Sequence, residues 1–219
     1  MQISSFTHVG VVRKINEDAC LSVPPWSRLA IQKQACLFAV ADGMGGHNAG
    51  EVASALAVKS LKDWFTEADI DQIDEHLFEE VFAATNSLIW DHSQRNSEAS
   101  GMGTTLTALL VKDKRAIIGH IGDSRLYRMR RGKLELITND HSLVAEQVRM
   151  GKLTPEQARV HPTRNILSRV MGGRQFVVPD CFAIDLELDD LFLVCSDGVS
   201  GLVDDVKIAK MLLENPTAR

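Results

Sequence analysis

Asp42 closes an apolar run, Phe38-Ala39-Val40-Ala41, and is followed by Gly43-Met44-Gly45-Gly46. Asp197 repeats the arrangement after Leu191-Phe192-Leu193-Val194-Cys195-Ser196, with Gly198 beyond it. Asp123 lies between Gly122 and Ser124 at the end of a third apolar run, and Glu17-Asp18 add two carboxylates upstream. A single Asp-Gly is a favoured turn dipeptide and indicates nothing more. Three strand ends that each set an Asp beside Gly or Ser form a stronger pattern. Carboxylates gathered at one end of a sheet repel each other unless cations lie between them. Hard divalent ions take oxygen ligands, which carboxylates and bare glycine backbone supply. The implied chemistry is metal-assisted attack on a phosphate. Arg13 is close to Glu17-Asp18 in sequence, and a guanidinium can grip a phosphate with two parallel bonds. On spacing alone a solvated surface arginine is the favoured reading.

The glycine run Gly45-Gly46-His47-Asn48-Ala49-Gly50 begins like a P-loop, which would continue with Lys and then Ser or Thr. Here Glu51 and Val52 follow. A carboxylate in that place repels a nucleotide phosphate, so nucleotide binding is rejected.

The elements that must position these residues are legible in outline. The run 36–41 reads as a buried strand. Residues 51–65 have helical spacing at Ala53, Leu56, Ala57, Leu61 and Trp64, and a second helix is spaced by Ile73, Leu77, Val81, Ala84 and Leu88. From Thr104 the texture turns β-branched, predicting strands over 104–111, 115–121, 125–130 and 134–138. Lys112-Asp113-Lys114 and Arg131-Gly132-Lys133 separate them as turns, so a meander of hairpins is expected. Residues 142–172 are polar, carry Gly151, Pro155 and Pro162, and read as a short helical insertion. A strand is expected over 186–195 and a helix over 204–213. The chain shows no internal repeat, linker or low-complexity segment.

The 219 residues carry 45% hydrophobic side chains, enough for a sizeable core, and a net charge of −5 that leaves no electrostatic footprint for nucleic acid. No apolar run approaches the ~18 residues that read as a membrane span. The start, Met1-Gln2-Ile3-Ser4-Ser5-Phe6, lacks the pattern of a signal peptide. Cys20, Cys36, Cys181 and Cys195 show no C-x-x-C spacing, which predicts reduced cysteines in a cytoplasmic protein.

Taken in order, seven motifs resemble the metal-dependent Ser/Thr protein phosphatases of the PP2C (PPM) type, in their compact bacterial form. They are Val12-Arg13-Lys14-Ile15-Asn16-Glu17-Asp18, Asp42-Gly43-Met44-Gly45-Gly46-His47, Gly101-Met102-Gly103-Thr104-Thr105, Gly122-Asp123-Ser124-Arg125, Asp140-His141-Ser142, His161-Pro162-Thr163-Arg164-Asn165 and Ser196-Asp197-Gly198. Each alone is weak; the ordered set is specific and spans nearly the whole chain.

The resemblance implies one phosphatase domain over 1–219. The fold would be α+β, a four-layer α-β-β-α sandwich with two packed antiparallel sheets, helices outside and a flap insertion over 142–172 beside the active site. It implies two Mn²⁺ or Mg²⁺ ions bridged by Asp42. Glu17 or Asp18 would hold the pair directly or through water. The Gly43 carbonyl and Asp197 would be further ligands, and Asp123 would serve a third ion. Arg13 matches the phosphate-gripping arginine. The reaction is in-line attack on phosphoserine or phosphothreonine by water activated between the ions, with no phosphoenzyme. The expected partners are phosphoproteins and a Ser/Thr kinase. Eukaryotic relatives place a histidine where this chain has Met44, which cannot donate a proton; water at the metals or a nearby histidine, such as His47 or His161, could supply it to the leaving group. His8, His76, His92 and His120 are expected to be structural or exposed.

The resemblance has one gap. The family closes with an Asp-Asn pair leading into a last strand, that Asp being a ligand, whereas this sequence runs to Asn215-Pro216-Thr217-Ala218-Arg219 without it. Asp204 and Asp205 follow Asp197 too closely to replace it. A shortened chain is expected, and with it two rival functions: a catalytically weakened, phosphatase-like regulatory binding module, and a hydrolase of small phosphoesters.

Overall fold

The computed structural model describes residues 2–11, 13–45 and 49–214. Among them the chain forms strands β1 (Asp18–Val23), β2 (Ala35–Met44), β3 (Gly103–Thr104), β4 (Leu106–Lys112), β5 (Arg115–Ile121), β6 (Arg125–Arg130), β7 (Lys133–Leu136), β8 (Asp180–Asp185) and β9 (Leu191–Cys195). The helices are α1 (Arg28–Lys33), α2 (Ala49–Glu67), α3 (Glu75–Arg95), α4 (Leu143–Arg149), α5 (Pro155–Val160), α6 (Asp197–Ser200) and α7 (Asp205–Glu214).

Two antiparallel sheets result. The first runs β1-β2-β4-β5-β8, with β3 paired to the far end of β2; the second runs β7-β6-β9. Three apolar clusters define the layering. Ala53, Ala57, Leu61 and Phe65 of α2 and Phe78, Phe82 and Ile89 of α3 pack on Leu37, Leu110 and Ile117 of the first sheet. Leu109, Ala116 and Ile118 meet Leu126, Phe192 and Val194 between the sheets. Tyr127 and Cys195 meet Ile208 and Leu212 of α7. This is the expected four-layer α-β-β-α sandwich.

The two hairpin turns sit where the sequence places them. Asp113 at φ 52°, and Arg131 and Gly132 at φ 51° and 77°, supply the left-handed backbone that tight hairpins require. The meander does not continue between them, however. β5 belongs to the first sheet and β6 to the second, and the chain crosses at Gly122-Asp123-Ser124. Gly122 has φ 108°, and a Cβ there would stand 2.5 Å from Thr105 Cγ2, so only glycine makes this crossing without displacing Thr105.

Several sequence expectations need correction. β2 does not end at Asp42; it runs through Asp42 and Gly43 to pair with β3. The 104–111 strand breaks at Thr105, whose groups turn to Asp42. The 186–195 strand starts only at Leu191, and β1, α1 and β8 were not foreseen. The buried stripe of α3 is Phe78, Val81, Phe82, Thr85, Asn86, Ile89 and Ser93; Ala84 and Leu88 are exposed. The larger rings win the core, and Thr85 and Asn86 can follow them because both find hydrogen bonds. Thr85 Oγ1 lies 2.8 Å from Ser60 Oγ, and Asn86 binds Gly172 N and the carbonyls of Arg174 and Gln175.

Candidate active site

Strand register assembles the acidic residues. Asp18 and Asp42 are direct partners across β1 and β2, so their side chains share a face. Arg125 and Cys195 are partners across β6 and β9. Asp123 precedes Arg125 by two residues and Asp197 follows Cys195 by two, which brings both to the same end of the second sheet. Ser196 ties the sheets together, donating from Oγ to Asp18 Oδ2 at 2.9 Å.

The backbone beneath Asp42 is clamped. Its N–H donates to Thr105 Oγ1 at 2.9 Å, and its carbonyl accepts from Thr105 N at 2.9 Å and Thr104 Oγ1 at 3.0 Å. Thr105 Oγ1 in turn lies 2.7 Å from Ser124 Oγ, beside Asp123. One side of the β2–α2 connection is glycine for a steric reason. A Cβ on Gly43 would stand 2.0 Å from Gly50 O, and one on Gly50 would stand 2.7 Å from Glu17 Oε1. The start of α2 therefore rests on bare backbone of β2 next to Asp42.

The electrostatics are those of unneutralised carboxylates. Burial, then the charges of Asp18, Asp197 and Asp123, push Asp42 up to about 8. Burial and the charges of Asp197 and Asp140 push Asp123 up to about 6, against a smaller opposing pull from Arg125. None of Asp18, Asp42, Asp123 and Asp197 makes an ion pair among the described residues. No three His, Cys, Asp or Glu side chains among those residues stand as a ready-made ligand array. What exists is a cluster held close enough to repel. A divalent cation relieves that repulsion, and hard oxygen donors are the ligands such an ion takes. The donor set fits the metals that the sequence motifs imply.

Arg13 makes no ion pair with Asp18, Asp42, Asp123 or Asp197 among the described residues. Its side chain is 60% exposed, and NH1 donates to Glu17 Oε2 at 2.9 Å. The Glu17 carbonyl accepts from Gly43 N at 3.0 Å, so Glu17 braces the glycine backbone. His161 is engaged with Thr163 in the 142–172 segment, and His47 lies outside the described residues. Asp205 accepts from Tyr127 OH at 3.0 Å and Asp204 from Lys207 N at 2.8 Å, so both serve α7. The expectation resting on 215–219 falls outside the described residues. Thr104, Thr105, Ser124 and Ser196 have roles that sequence reasoning did not assign. The signal available for the first three was a row of hydroxyls, Thr104-Thr105 and Ser124, at the ends of apolar strands.

The fold and the clustered carboxylates fit a metal-dependent hydrolase of phosphoproteins. The family profile for protein phosphatase 2C matches residues 12–216, and the chain belongs to that family. The protein phosphatase PhpP of Streptococcus pneumoniae is 36% identical over 95% of this chain and 82% of its own length. The Mycobacterium tuberculosis serine/threonine phosphatase PstP superposes with a TM-score of 0.83 at 37% identity, over 95% of this chain and 83% of that one. The catalytic domain of PstP solved with two manganese ions gives 0.80 at 35% identity, over 93% and 80%.

Proposed function

We propose that this chain hydrolyses phosphoserine and phosphothreonine in proteins, using Mn²⁺ or Mg²⁺ at the Asp18, Asp42, Asp123 and Asp197 cluster. The observation that carries this reading is the convergence of three carboxylate charges on half-buried Asp42, with no ion pair to any of the four among the described residues. The two manganese ions of PstP support two ions here, with Asp123 available to a third. The cluster would hold divalent ions, which when bound would lower the pKa of water from 15.7 to roughly 7 and offset charge on the phosphoryl oxygens.

The chain's own residues do the rest. Asp42 is the central ligand, since every other carboxylate of the cluster acts on it. Asp18 faces it directly across the strand pair, and Glu17 contributes one position away, beside the Gly43 carbonyl. Asp197 reaches the site from the second sheet. Arg13 binds the substrate phosphate. Its surface pair with Glu17 is worth about 0–1 kcal/mol, whereas a charge-assisted bond to phosphate contributes about 1.5–3 kcal/mol, so exchange favours the substrate. No side chain serves as nucleophile: Cys195 is buried with its thiol pushed up to about 11, and Ser196 is committed to Asp18. Residues 1–219 act as one catalytic unit, supported by the shared core between the sheets. The substrates are phosphoproteins made by a Ser/Thr kinase. Four unpaired cysteines favour the reducing cytoplasm.

The test is release of phosphate from a phosphothreonine peptide with Mn²⁺, with excess EDTA, and with p-nitrophenyl phosphate in parallel. Mn²⁺-dependent turnover of the peptide is expected. Peptide hydrolysis that persists in EDTA ends the metal reading. Turnover of the aryl phosphate alone ends the protein-phosphatase reading.

A further inference from the structure

Residues 142–172 leave and rejoin the body of the protein at one neck. Ser168 N donates to the His141 carbonyl at 2.9 Å, Leu143 N donates to the Ile166 carbonyl at 2.9 Å, and Ser142 bridges Leu167. The neck stands beside the acidic cluster, because Met171 exchanges two backbone bonds with Thr104, and Thr104 Oγ1 donates to the Asp42 carbonyl.

His141 joins this neck to the crossing between the sheets. Its N–H donates to the Gly122 carbonyl at 2.7 Å, and Gly122 N–H donates back to His141 Nδ1 at 3.2 Å. A backbone N–H can only donate, so Nδ1 carries no proton and the ring proton is on Nε2. Nε2 faces Asp180 Oδ2 at 3.1 Å, and the other oxygen of Asp180 accepts from Arg169 NH1 at 2.7 Å. Arg169 lies within the segment. The ring is 2% exposed on its side chain and lies 4.7 Å from the His120 ring, which is fixed by Thr107 and the Asn139 carbonyl. A line of four groups thus runs Arg169–Asp180–His141–Gly122.

One end of that line is fixed. Gly122 packs on Thr105 with no room for even a Cβ between them, and Ser124 is bound by both Thr105 and Thr107. The other end is a segment of short helices attached at its neck. Apolar side chains would fill the same space without the desolvation that a buried polar network costs, and what such a network adds is a unique geometry.

We propose that His141 is a positioning residue that hangs segment 142–172 from the crossing beside Asp123, and that it thereby sets the efficiency on peptide and protein substrates but not on small phosphoesters. This rests on the phosphatase reading: the neck meets the cluster through Thr104, so residues 142–172 can touch the part of a phosphoprotein that lies beyond its phosphate.

The test compares His141→Leu, which keeps bulk and loses both bonds, with His141→Gln. The Gln amide can accept from Gly122 and donate to Asp180. Arg169→Met and the His141→Leu/Arg169→Met double variant complete the set. All are assayed with Mn²⁺ on a phosphothreonine peptide and on p-nitrophenyl phosphate. His141→Leu and Arg169→Met should each lose about tenfold in kcat/KM on the peptide and change less than about twofold on the aryl phosphate. His141→Gln should remain within about threefold of the parent. The double variant should lose no more than the worse single, because both act through Asp180. Equal losses on both substrates, additive losses, or no loss each overturn the proposal. Arg169→Met alone decides the matter where His141→Leu does not fold. Hydrogen exchange in the metal-free protein separates this inference from the phosphatase reading. Amides of 142–172 should exchange faster in His141→Leu and not in His141→Gln, whatever the activity. Unchanged exchange in His141→Leu overturns the relay, whereas a parent chain inactive on every phosphate ester overturns the phosphatase reading alone.

Discussion

The two sheets are built to different standards. In the first, β4 and β5 are buried over most of their length, covered by α2 and α3 on one side and by the second sheet on the other. In the second, Leu191 to Val194 of β9 are only half-buried, β7 is mostly exposed, and the outer face carries the ten-residue α7. Charge stands in for apolar packing there. Arg125 meets Asp140 through three bonds of 2.6 to 3.2 Å and also reaches Tyr127 OH, while Arg130 grips Asp190 and Glu187. The acidic cluster straddles this divide. Asp18 and Asp42 stand on the firm side, Asp197 on the looser one, and Asp123 at the crossing. A site assembled from two unequal walls should respond unequally to damage on either.

The largest effect expected is on Asp42. Asp42→Asn should reduce kcat/KM by about 10²–10⁴-fold, the several kcal/mol that metal-assisted charge stabilisation supplies. Chelation should do the same. Asp197→Asn, on the exposed looser wall, should cost less than Asp42→Asn, and equal losses measured side by side would erase the distinction between the walls. In stability, Leu110→Ala in the first sheet should cost about 2–5 kcal/mol, because its side chain is fully buried. Half-buried Leu193→Ala in the second should cost about half of that. Urea titrations of both variants give the ratio directly.

Arg13→Ala should act on the substrate alone. A loss of about 1.5–3 kcal/mol in kcat/KM is expected, with Mn²⁺ affinity nearly unchanged by calorimetric titration. An unaltered kcat/KM would return Arg13 to the role its exposed pair with Glu17 suggests. A further effect is on pH dependence. Carboxylates near 3.9 when unfolded are raised in the metal-free fold, Asp42 to about 8 and Asp123 to about 6. A raised acid contributes stability that is complete below the unfolded value and is lost as pH climbs through the folded one. Metal-free protein should therefore lose Tm between pH 5 and 8, and saturating Mn²⁺ should reduce that loss. A metal-free Tm that rises over this interval would contradict the clustering of these charges.

Much of this could be read from the residues. Asp123 and Asp197 just past their strands, the two hairpin turns and the insertion at 142–172 are all where local chemistry puts them, whereas Asp42 lies within β2 and not at its end. The failures share one cause, dependence on distant partners. Asp180–Asp185 is a short edge strand closed by acids at both ends, and only its pairing with β5 makes it a strand. The buried stripe of α3 follows Phe78 and Phe82 because Gly119 opens space for them: a Cβ there would stand 2.4 Å from the Phe82 ring. The clamp of Thr105 on Asp42 joins residues 63 positions apart. Spacing along the chain carries no trace of such pairings.

The approach of Gly43 to Gly50 has a consequence for how such a protein can diverge. Where two main-chain segments meet with nothing between them, their separation is set by the radii of backbone atoms, which every sequence shares. Leucines and valines elsewhere in the core can be exchanged for others of similar volume, shifting helices slightly as they repack. The seat of α2 against the strand that carries Asp42 does not depend on those side chains. Drift in the core is therefore insulated from the geometry of the chemistry, and the insulation lasts as long as those two positions stay without a side chain.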